Sequence, residues 1–276
     1  MPRRAYRIAY DGRQYHGFQR QPSVPTVEDE LLAALRELDV SPPDETPPGW
    51  AAAGRTDAGV HALAQTVALD APDWLSPRAL NGELPGSVRA WGSADAPATF
   101  HATHDCASRA YVYHLHAPGS SLDRARTVAE AVVGETDLHN LTDDGGDTVR
   151  RVHDCTVARD GEYLVLSVRA AGFLHEVVRR LATLVRAVAT GAAPESKVER
   201  VFGPEPLDGP EGVPAAPPGP LVFVDAAYPD LTFRVDEAAA ESAGDALGEA
   251  ALAARTRGRA LSTVVEGVGT VSDEGR

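Results

Sequence analysis

Residues 51 to 69 carry the most informative pattern in the chain, and they read Ala51-Ala52-Ala53-Gly54-Arg55-Thr56-Asp57-Ala58-Gly59-Val60-His61-Ala62-Leu63-Ala64-Gln65-Thr66-Val67-Ala68-Leu69. Alanines lead into a short polar loop, and an alternating strand pattern leads out of it. Glycines at both ends of the loop permit backbone conformations that other residues avoid. Such a loop, held between two strands, can present Asp57 at a fixed place, as a catalytic carboxylate requires. An ordinary surface turn, in which Arg55 and Asp57 pair, is the alternative that these residues leave open.

Length and composition indicate a globular protein. The chain has 276 residues and is 43% hydrophobic, which is enough for one large or two small domains with a core. No apolar run approaches the roughly 20 residues that cross a bilayer, and no signal-peptide core follows Met1. We therefore expect a cytoplasmic protein that does not interact with membranes. Cys106 and Cys155 lack a metal-type spacing, which argues against a disulfide framework or a zinc ribbon.

The charge balance is unusual for a protein that binds nucleic acid. The formal net charge is −14, with 26 basic and 40 acidic residues. Lys197 is the only lysine, so nearly all positive charge is arginine, which binds phosphates in a fork and stacks on bases. We hypothesise a locally basic cleft on an acidic body, with the excess of acid and the depletion of lysine reflecting a high-salt cytoplasm. The arginines fall into four groups: Arg3, Arg4 and Arg7; Arg150 and Arg151; Arg179, Arg180 and Arg186; Arg255, Arg257 and Arg259.

Hydrophobic periodicity predicts an α+β fold with a mixed or antiparallel sheet, built from two comparable halves at residues 1–100 and 101–230. An Ala-rich, acidic extension over residues 231–276 follows them. The main predicted strands are residues 4–10, 64–69, 108–115, 149–158, 163–168, 221–228 and 232–235. The main predicted helices are residues 26–39, 122–133 and 236–259, and one whose apolar face includes Phe173, Val177, Leu181, Leu184 and Val188.

The nine residues from Gly54 to Ala62 resemble the catalytic motif of the tRNA pseudouridine synthase A family. The resemblance implies an enzyme that isomerises uridine to pseudouridine without a cofactor, with Asp57 attacking the target nucleoside. Five other segments are similar to the family. They are residues 15–21, where Phe18 stands in place of the more usual tryptophan and precedes Gln19, residues 173–179, where Val177 replaces the usual methionine and Arg179 is the last residue, and residues 81–85, 100–102 and 216–228.

Two further side chains gain a role from the resemblance. By sequence pattern alone, Tyr111 is an aromatic residue on a half-buried strand and Arg179 is a surface cation. The resemblance implies that Tyr111 packs on the uracil and helps to remove a proton, and that Arg179 pairs with Asp57. A buried arginine would keep the carboxylate ionised and hold it in one orientation. The expected substrate-binding residues are Phe18, Gln19, Arg55, His61, Tyr111 and Arg179.

The resemblance also implies the substrate and the assembly. It implies the pseudouridine synthase fold, with one extended sheet around a central RNA-binding cleft, and a homodimer that binds the anticodon arm of tRNA. The expected target uridines lie at tRNA positions 38 to 40. A non-catalytic RNA-binding or tRNA-folding module is the main alternative. A different carboxylate enzyme would need a second acid or a metal. His101, His104 and Cys106 have no fourth ligand at a supporting spacing, so no metal site is predicted.

Overall fold

The computed structural model describes residues 1–42, 45–207 and 209–273, with side chains up to residue 268. The strands are β1 (Arg3–Tyr10), β2 (Ala51–Ala52), β3 (His61–Asp70), β4 (Val88–Asp95), β5 (Ser108–His116), β6 (Gly134–Asp137), β7 (Val149–Asp160), β8 (Tyr163–Ala170), β9 (Leu221–Ala227) and β10 (Arg234–Val235). The α-helices are α1 (Val27–Glu37), α2 (Pro77–Glu83), α3 (Leu122–Ala131), α4 (Val177–Ala189), α5 (Ser196–Val201) and α6 (Glu237–Asp273).

All the strands belong to one ten-stranded sheet with the order β10-β4-β1-β3-β9-β5-β8-β7-β6, and β2 pairs with β3. Each pairing is antiparallel except that of β3 with β9, where His61 lies beside Val222 and Ala62 beside Phe223. The predicted α+β class with a mixed sheet is therefore confirmed. Strands β1 to β4 come from residues 1–100 and strands β5 to β9 from residues 101–230, so the parallel pairing joins the two predicted halves. A domain boundary at residue 100 stays a prediction.

Helix α1 forms where its sequence predicts it. Thr26 is the N-cap, and its hydroxyl and the Asp29 carboxylate make the reciprocal hydrogen bonds of a capping box. Val27, Leu31 and Leu35 are buried along one face, which packs into the core. The helix runs over residues 27–37, slightly shorter than the predicted 26–39 because Leu38 leaves the helical conformation.

Helix α4 starts later than its apolar spacing suggests. Phe173 fits the helical face in sequence, but the helix begins at Val177. The reason is Glu176, whose φ of 60° is left-handed and incompatible with helix continuation toward residue 173. Residues 172–176 therefore form a turn between β8 and α4. Strand β6 and helix α5 have no counterpart among the predicted elements.

The C-terminal segment returns to the first half of the chain. Strand β10 pairs with β4, and the first turns of α6 pack on β4 and α2, which buries Ala239 and Ala243. The helix continues to Asp273, beyond the predicted end at residue 259, and its described side chains from residue 251 onward are exposed. Residues 274–276 of the predicted extension lie outside the described residues. None of the described helices combines the length and the apolar character needed to cross a membrane.

Candidate active site

The loop that carries Asp57 is fixed by hydrogen bonds to its neighbours. The hydroxyls of Thr56 and Tyr10 lie 2.7 Å apart in a buried contact, and the amide of Phe18 donates to the carbonyl of Thr56 at 3.1 Å. Gly17 has a φ of +98°, and a Cβ there would lie 2.7 Å from the same carbonyl. The close approach of two backbone segments therefore requires glycine at this position and leaves Asp57 projecting from a rigid loop.

Asp57, in the loop before β3, and Arg179, on α4, form a pair although 122 residues separate them. Arg179 Nη1 donates to Asp57 Oδ2 at 3.0 Å, and Arg179 Nε donates to the carbonyl of Ala216 at 2.7 Å. The Arg179 side chain is 14% exposed and the Asp57 side chain 30%. Burial limits screening by water, so this pair is stronger than an ordinary surface ion pair. The structure thus brings together the two residues that the sequence suggested as partners.

Tyr111 lies on β5 beside the cleft. Its ring stacks on Phe223 with centroids 4.9 Å apart and meets Phe173 edge-on at 5.1 Å. Burial raises the pKa of Tyr111 above its ordinary value of about 10. The phenol therefore stays protonated at neutral pH.

The cleft between these elements has a volume of about 850 Å³, within the range of sites that hold small organic ligands. Phe18 is buried in its floor, whereas Gln19 and Arg55 are exposed at its rim. Six of the seven predicted site residues line this cleft, namely Phe18, Gln19, Arg55, Asp57, Tyr111 and Arg179.

His61 is the exception. His61 is not one of the described residues that line the cleft. Its Nδ1 accepts a hydrogen bond from the amide of Gly12 at 3.3 Å and lies 3.3 Å from Asp11 Oδ1. Burial lowers the pKa of His61, which favours the neutral ring that accepts from Gly12. A role for His61 in substrate binding stays a prediction that these contacts do not support.

Arg109 is a residue of the site that the sequence did not suggest. Its Nε and Nη2 donate to the carbonyl of Ala53 at 2.8 and 2.5 Å, its Nη2 to Thr103 at 2.9 Å, and its Nη1 to Ala171 at 3.1 Å. These carbonyls belong to the segment before Asp57, the loop before β5 and the segment after β8. Arg109 therefore ties together three walls of the cleft. Its position two residues before Tyr111 on the same strand is the only signal in the sequence.

His175 and Glu176 also reach Asp57 and were not predicted. His175 Nε2 lies 3.5 Å from Asp57 Oδ1, and Glu176 Oε1 lies 3.0 Å from Arg179 Nη1. The ligand atoms of Asp57, His175 and Glu176 lie within 4.8 Å of one another, as those of a metal site do. Arg179 Nη1 also lies 3.0 Å from Asp57 Oδ2, so one positive charge already lies between the two carboxylates. The expected absence of a metal stays a prediction.

The charges of the cleft differ from the hypothesised basic surface. The N-terminal arginines pair elsewhere, Arg3 with Asp70 at 2.6 Å and Arg4 with Asp95 at 3.3 Å. Two members of the four predicted arginine groups, Arg150 and Arg179, line the cleft. Arg55 and Arg109 line it as well, and the acids Glu28, Asp57, Asp144 and Glu176 stand among them. The cleft therefore carries both signs of charge.

Comparison with known proteins identifies the family. A family model described as tRNA pseudouridine synthase matches residues 128–229. The tRNA pseudouridine synthase A of Haloarcula marismortui is 51% identical over an alignment of 276 positions, which covers 96% of this chain and all of the relative. The chain belongs to the tRNA pseudouridine synthase A family. The family members from Halobacterium salinarum and Methanocella arvoryzae are 54% and 35% identical, covering 88% and 87% of this chain and 91% and 89% of their own lengths. The family resemblance drawn from the motif around Asp57, and with it the enzyme class, is confirmed.

Proposed function

We propose that this member of the tRNA pseudouridine synthase A family converts uridine to pseudouridine at positions 38 to 40 in the anticodon arm of tRNA, with Asp57 as the attacking carboxylate. The observation that carries the proposal is the geometry of Asp57. Its Oδ2 is held by Arg179, whose side chain is mostly shielded from solvent, whereas the Asp57 side chain remains 30% exposed beside the cleft. The relatives are tRNA pseudouridine synthases by name, which supports tRNA as the substrate.

The chemistry fits a single carboxylate. The bond between the ribose C1′ and N1 of uracil breaks, a bond from C1′ to C5 forms, C5 loses a proton and N1 gains one. No electrons are exchanged with another molecule. Asp57 can attack either the ribose C1′ or C6 of the uracil, and both routes use the same ionised carboxylate. Arg179 serves either route because it fixes the orientation of the nucleophile.

Tyr111 contributes packing and a hydroxyl group. A uracil beside Asp57 would extend the aromatic stack that Tyr111 forms with Phe223. Because burial raises the pKa of Tyr111, its resting form is the phenol and not a phenolate base. We assign to its hydroxyl a hydrogen bond that assists proton transfer, with a water molecule as the final acceptor of the C5 proton.

Arg55 is suited to bind the displaced RNA backbone. Within the part of the chain that the structure describes, its guanidinium makes no hydrogen bond or ion pair, and it is exposed at the rim of the cleft. Base flipping costs a few kcal/mol, which phosphate contacts can offset. Because Asp57 lies inside the cleft, we assign Arg55 to a phosphate of the flipped nucleotide.

The proposal extends to the assembly and the place of action. We propose a homodimer that binds one tRNA across both subunits, as the family resemblance implies. Its place of action would be the cytoplasm, where tRNA is found.

Pseudouridine mapping on anticodon-arm transcripts in high salt tests this function. Each transcript has uridine at only one of positions 38, 39 and 40, with cytidine at the other two, and keeps its uridines elsewhere. A control transcript has cytidine at all three positions. We expect conversion of the uridine at the chosen position and no conversion in the control. Tight binding without any conversion would favour the RNA-binding or tRNA-folding module, and conversion confined to other uridines would overturn the proposed positions.

A further inference from the structure

Glu176 has an unusual backbone conformation next to the site. With φ 60° and ψ 0°, it is one of two non-glycine residues with positive φ in the described part of the chain. Such a conformation is rare for a residue with a side chain and persists only where neighbouring groups hold it. Here the amide of His175 donates to Asp144 Oδ2 at 2.8 Å, and Thr142 Oγ1 donates to the carbonyl of His175 at 3.0 Å. The fold therefore maintains a strained turn directly beside Asp57.

The side chain of Glu176 shares its arginine with Asp57. Arg179 Nη1 lies 3.0 Å from Glu176 Oε1 and 3.0 Å from Asp57 Oδ2, so the same nitrogen donates to both carboxylates. The other oxygen, Glu176 Oε2, lies 3.3 Å from Arg180 Nη2. Arg180 in turn bonds to Asp143 and to the carbonyl of Val213. Glu176 is thus held from two sides, with its side chain 20% exposed.

The shared nitrogen has an electrostatic consequence. In an isolated pair, the guanidinium would bind Asp57 through two parallel hydrogen bonds and neutralise it. In this structure one positive charge lies between two negative charges, and Arg179 Nε is occupied by the carbonyl of Ala216. The charge of the Asp57 carboxylate is therefore only partly neutralised. Its second oxygen, Oδ1, lies 3.5 Å from His175 Nε2.

We propose that Glu176 is a positioning residue for the reaction: it fixes the guanidinium of Arg179 and shares its positive charge, so that the Asp57 carboxylate is held less tightly and is more nucleophilic. This inference rests on the proposed function. It explains why a strained glutamate occupies the turn before α4, since the left-handed backbone places the carboxylate against both arginines. Without the negative charge of Glu176, Arg179 would hold Asp57 more tightly and weaken its attack.

The first test compares Glu176→Gln with wild type on the anticodon-arm transcripts. The substitution keeps the size and the acceptor oxygen but removes the charge. We expect kcat to fall about tenfold or more, because Arg179, without the negative charge of Glu176, would bind the Asp57 carboxylate more tightly and stabilise it before it attacks. KM should stay within about twofold, because removal of a negative charge does not weaken RNA binding. Glu195→Gln is the matched control, since Glu195 pairs with Arg124 at 3.2 Å outside the cleft. An unchanged kcat for Glu176→Gln would overturn the proposal.

A second pair of variants separates charge from folding. Asp and Asn both accept left-handed backbone better than most residues, so Glu176→Asp and Glu176→Asn differ in charge and little else. We expect matching melting temperatures and a kcat several-fold higher for the Asp variant. Equal kcat values would show that Glu176 has only a structural role. The wild-type enzyme in the same assay separates failure of the proposed function from failure of the inference about Glu176. If the wild type converts no uridine, the proposed function is overturned. If the wild type and Glu176→Gln convert uridine at the same rate, only the inference about Glu176 is overturned.

Discussion

Gly17 illustrates how one backbone position supports Asp57. A side chain at this residue would meet the carbonyl of Thr56 at 2.7 Å and would also strain a φ of +98°. We expect Gly17→Ala to lower the free energy of unfolding by about 3 kcal/mol or more, since a backbone clash adds to conformational strain. Gly119 is the matched control because its φ is +70° and no atom lies within 4 Å of its added Cβ. Denaturant unfolding of both variants checks this, and equal losses would show that the contact with Thr56 does not matter.

The hydroxyl of Tyr111 is a second test at the residue scale. Tyr111→Phe keeps the aromatic contacts with Phe173 and Phe223 and removes only the oxygen. We expect the conversion rate to fall about a hundredfold, the effect of losing one well-placed hydrogen-bonding group, while tRNA affinity stays within about twofold. Single-turnover conversion and filter binding measure the two quantities. Full activity of the variant would exclude any part for the hydroxyl in proton transfer.

The raised pKa of Tyr111 also predicts how stability depends on pH. Burial raises the pKa in the folded state, so above about pH 10 the unfolded chain loses the phenol proton while the folded chain retains it. The contribution of Tyr111 to stability is therefore complete below the unfolded pKa and decreases as pH rises. We expect wild type to lose more unfolding free energy than Tyr111→Phe between about pH 9 and 11. Parallel losses in the two proteins would contradict this.

The sequence identified the reactive residues more reliably than the residues that hold them in position. Asp57 and Arg179 could be assigned because each lies in a motif that resembles the family. Glu176 could not, because its role depends on a left-handed φ and a shared nitrogen that no spacing encodes. His61 lies inside the motif and yet faces Asp11 and Gly12 outside the cleft, since a motif does not specify where each side chain points.

Among the elements, β5 connects the walls of the cleft through Arg109. Replacing Arg109 by Met would leave the carbonyls of Ala53, Thr103 and Ala171 without this donor. We expect a loss of about 2 kcal/mol or more, because the carbonyl of Ala53 loses two partly buried, charge-assisted hydrogen bonds and those of Thr103 and Ala171 lose one each. Arg159→Met is the control, since Arg159 is exposed and its guanidinium bonds, among the described residues, only to Ser120, and it should change stability by less than about 0.5 kcal/mol. Denaturant unfolding measures both variants. Similar losses of unfolding free energy would contradict the proposed role of Arg109 in joining the walls of the cleft.

Element boundaries were predictable where local chemistry sets them. Thr26 and Asp29 fix the start of α1 through their own side chains, so the sequence is sufficient there. The start of α4 depends on the contacts of His175 with Thr142 and Asp144, which come from a distant segment. Strand β6 has little apolar alternation and forms because β7 offers an edge for pairing, so its sequence alone does not indicate a strand.

At the scale of the whole molecule, the parallel pairing of β3 with β9 creates the site. It brings Asp57, which precedes β3, beside the segment that holds Arg179. Alternating patterns predicted both strands but contain no information about which strands become neighbours. The mixed sheet was therefore predictable in type, whereas its continuity across the two halves was expected only from the family resemblance.

The acidity of the whole chain predicts a dependence on salt. With 40 acidic and 26 basic residues, the folded state experiences net repulsion, which salt screens over about 10 Å at 0.1 M and about 3 Å at 1 M. We expect the melting temperature to rise steadily as KCl is increased from 0.1 M to several molar. Thermal unfolding followed by circular dichroism measures this. A flat or falling melting temperature would contradict the hypothesis that the composition reflects a high-salt cytoplasm.

The central claim is that Asp57 is the attacking group, and Asp57→Asn tests it most directly. The amide retains an acceptor for Arg179 but cannot act as the anionic nucleophile. Asp95→Asn is the matched control, because Asp95 also pairs with an arginine, Arg4, and lies outside the cleft. The measurement is pseudouridine formation on the anticodon-arm transcripts at enzyme concentrations that saturate RNA binding. We predict conversion by wild type and Asp95→Asn and none by Asp57→Asn; conversion by Asp57→Asn at the wild-type rate would contradict the account.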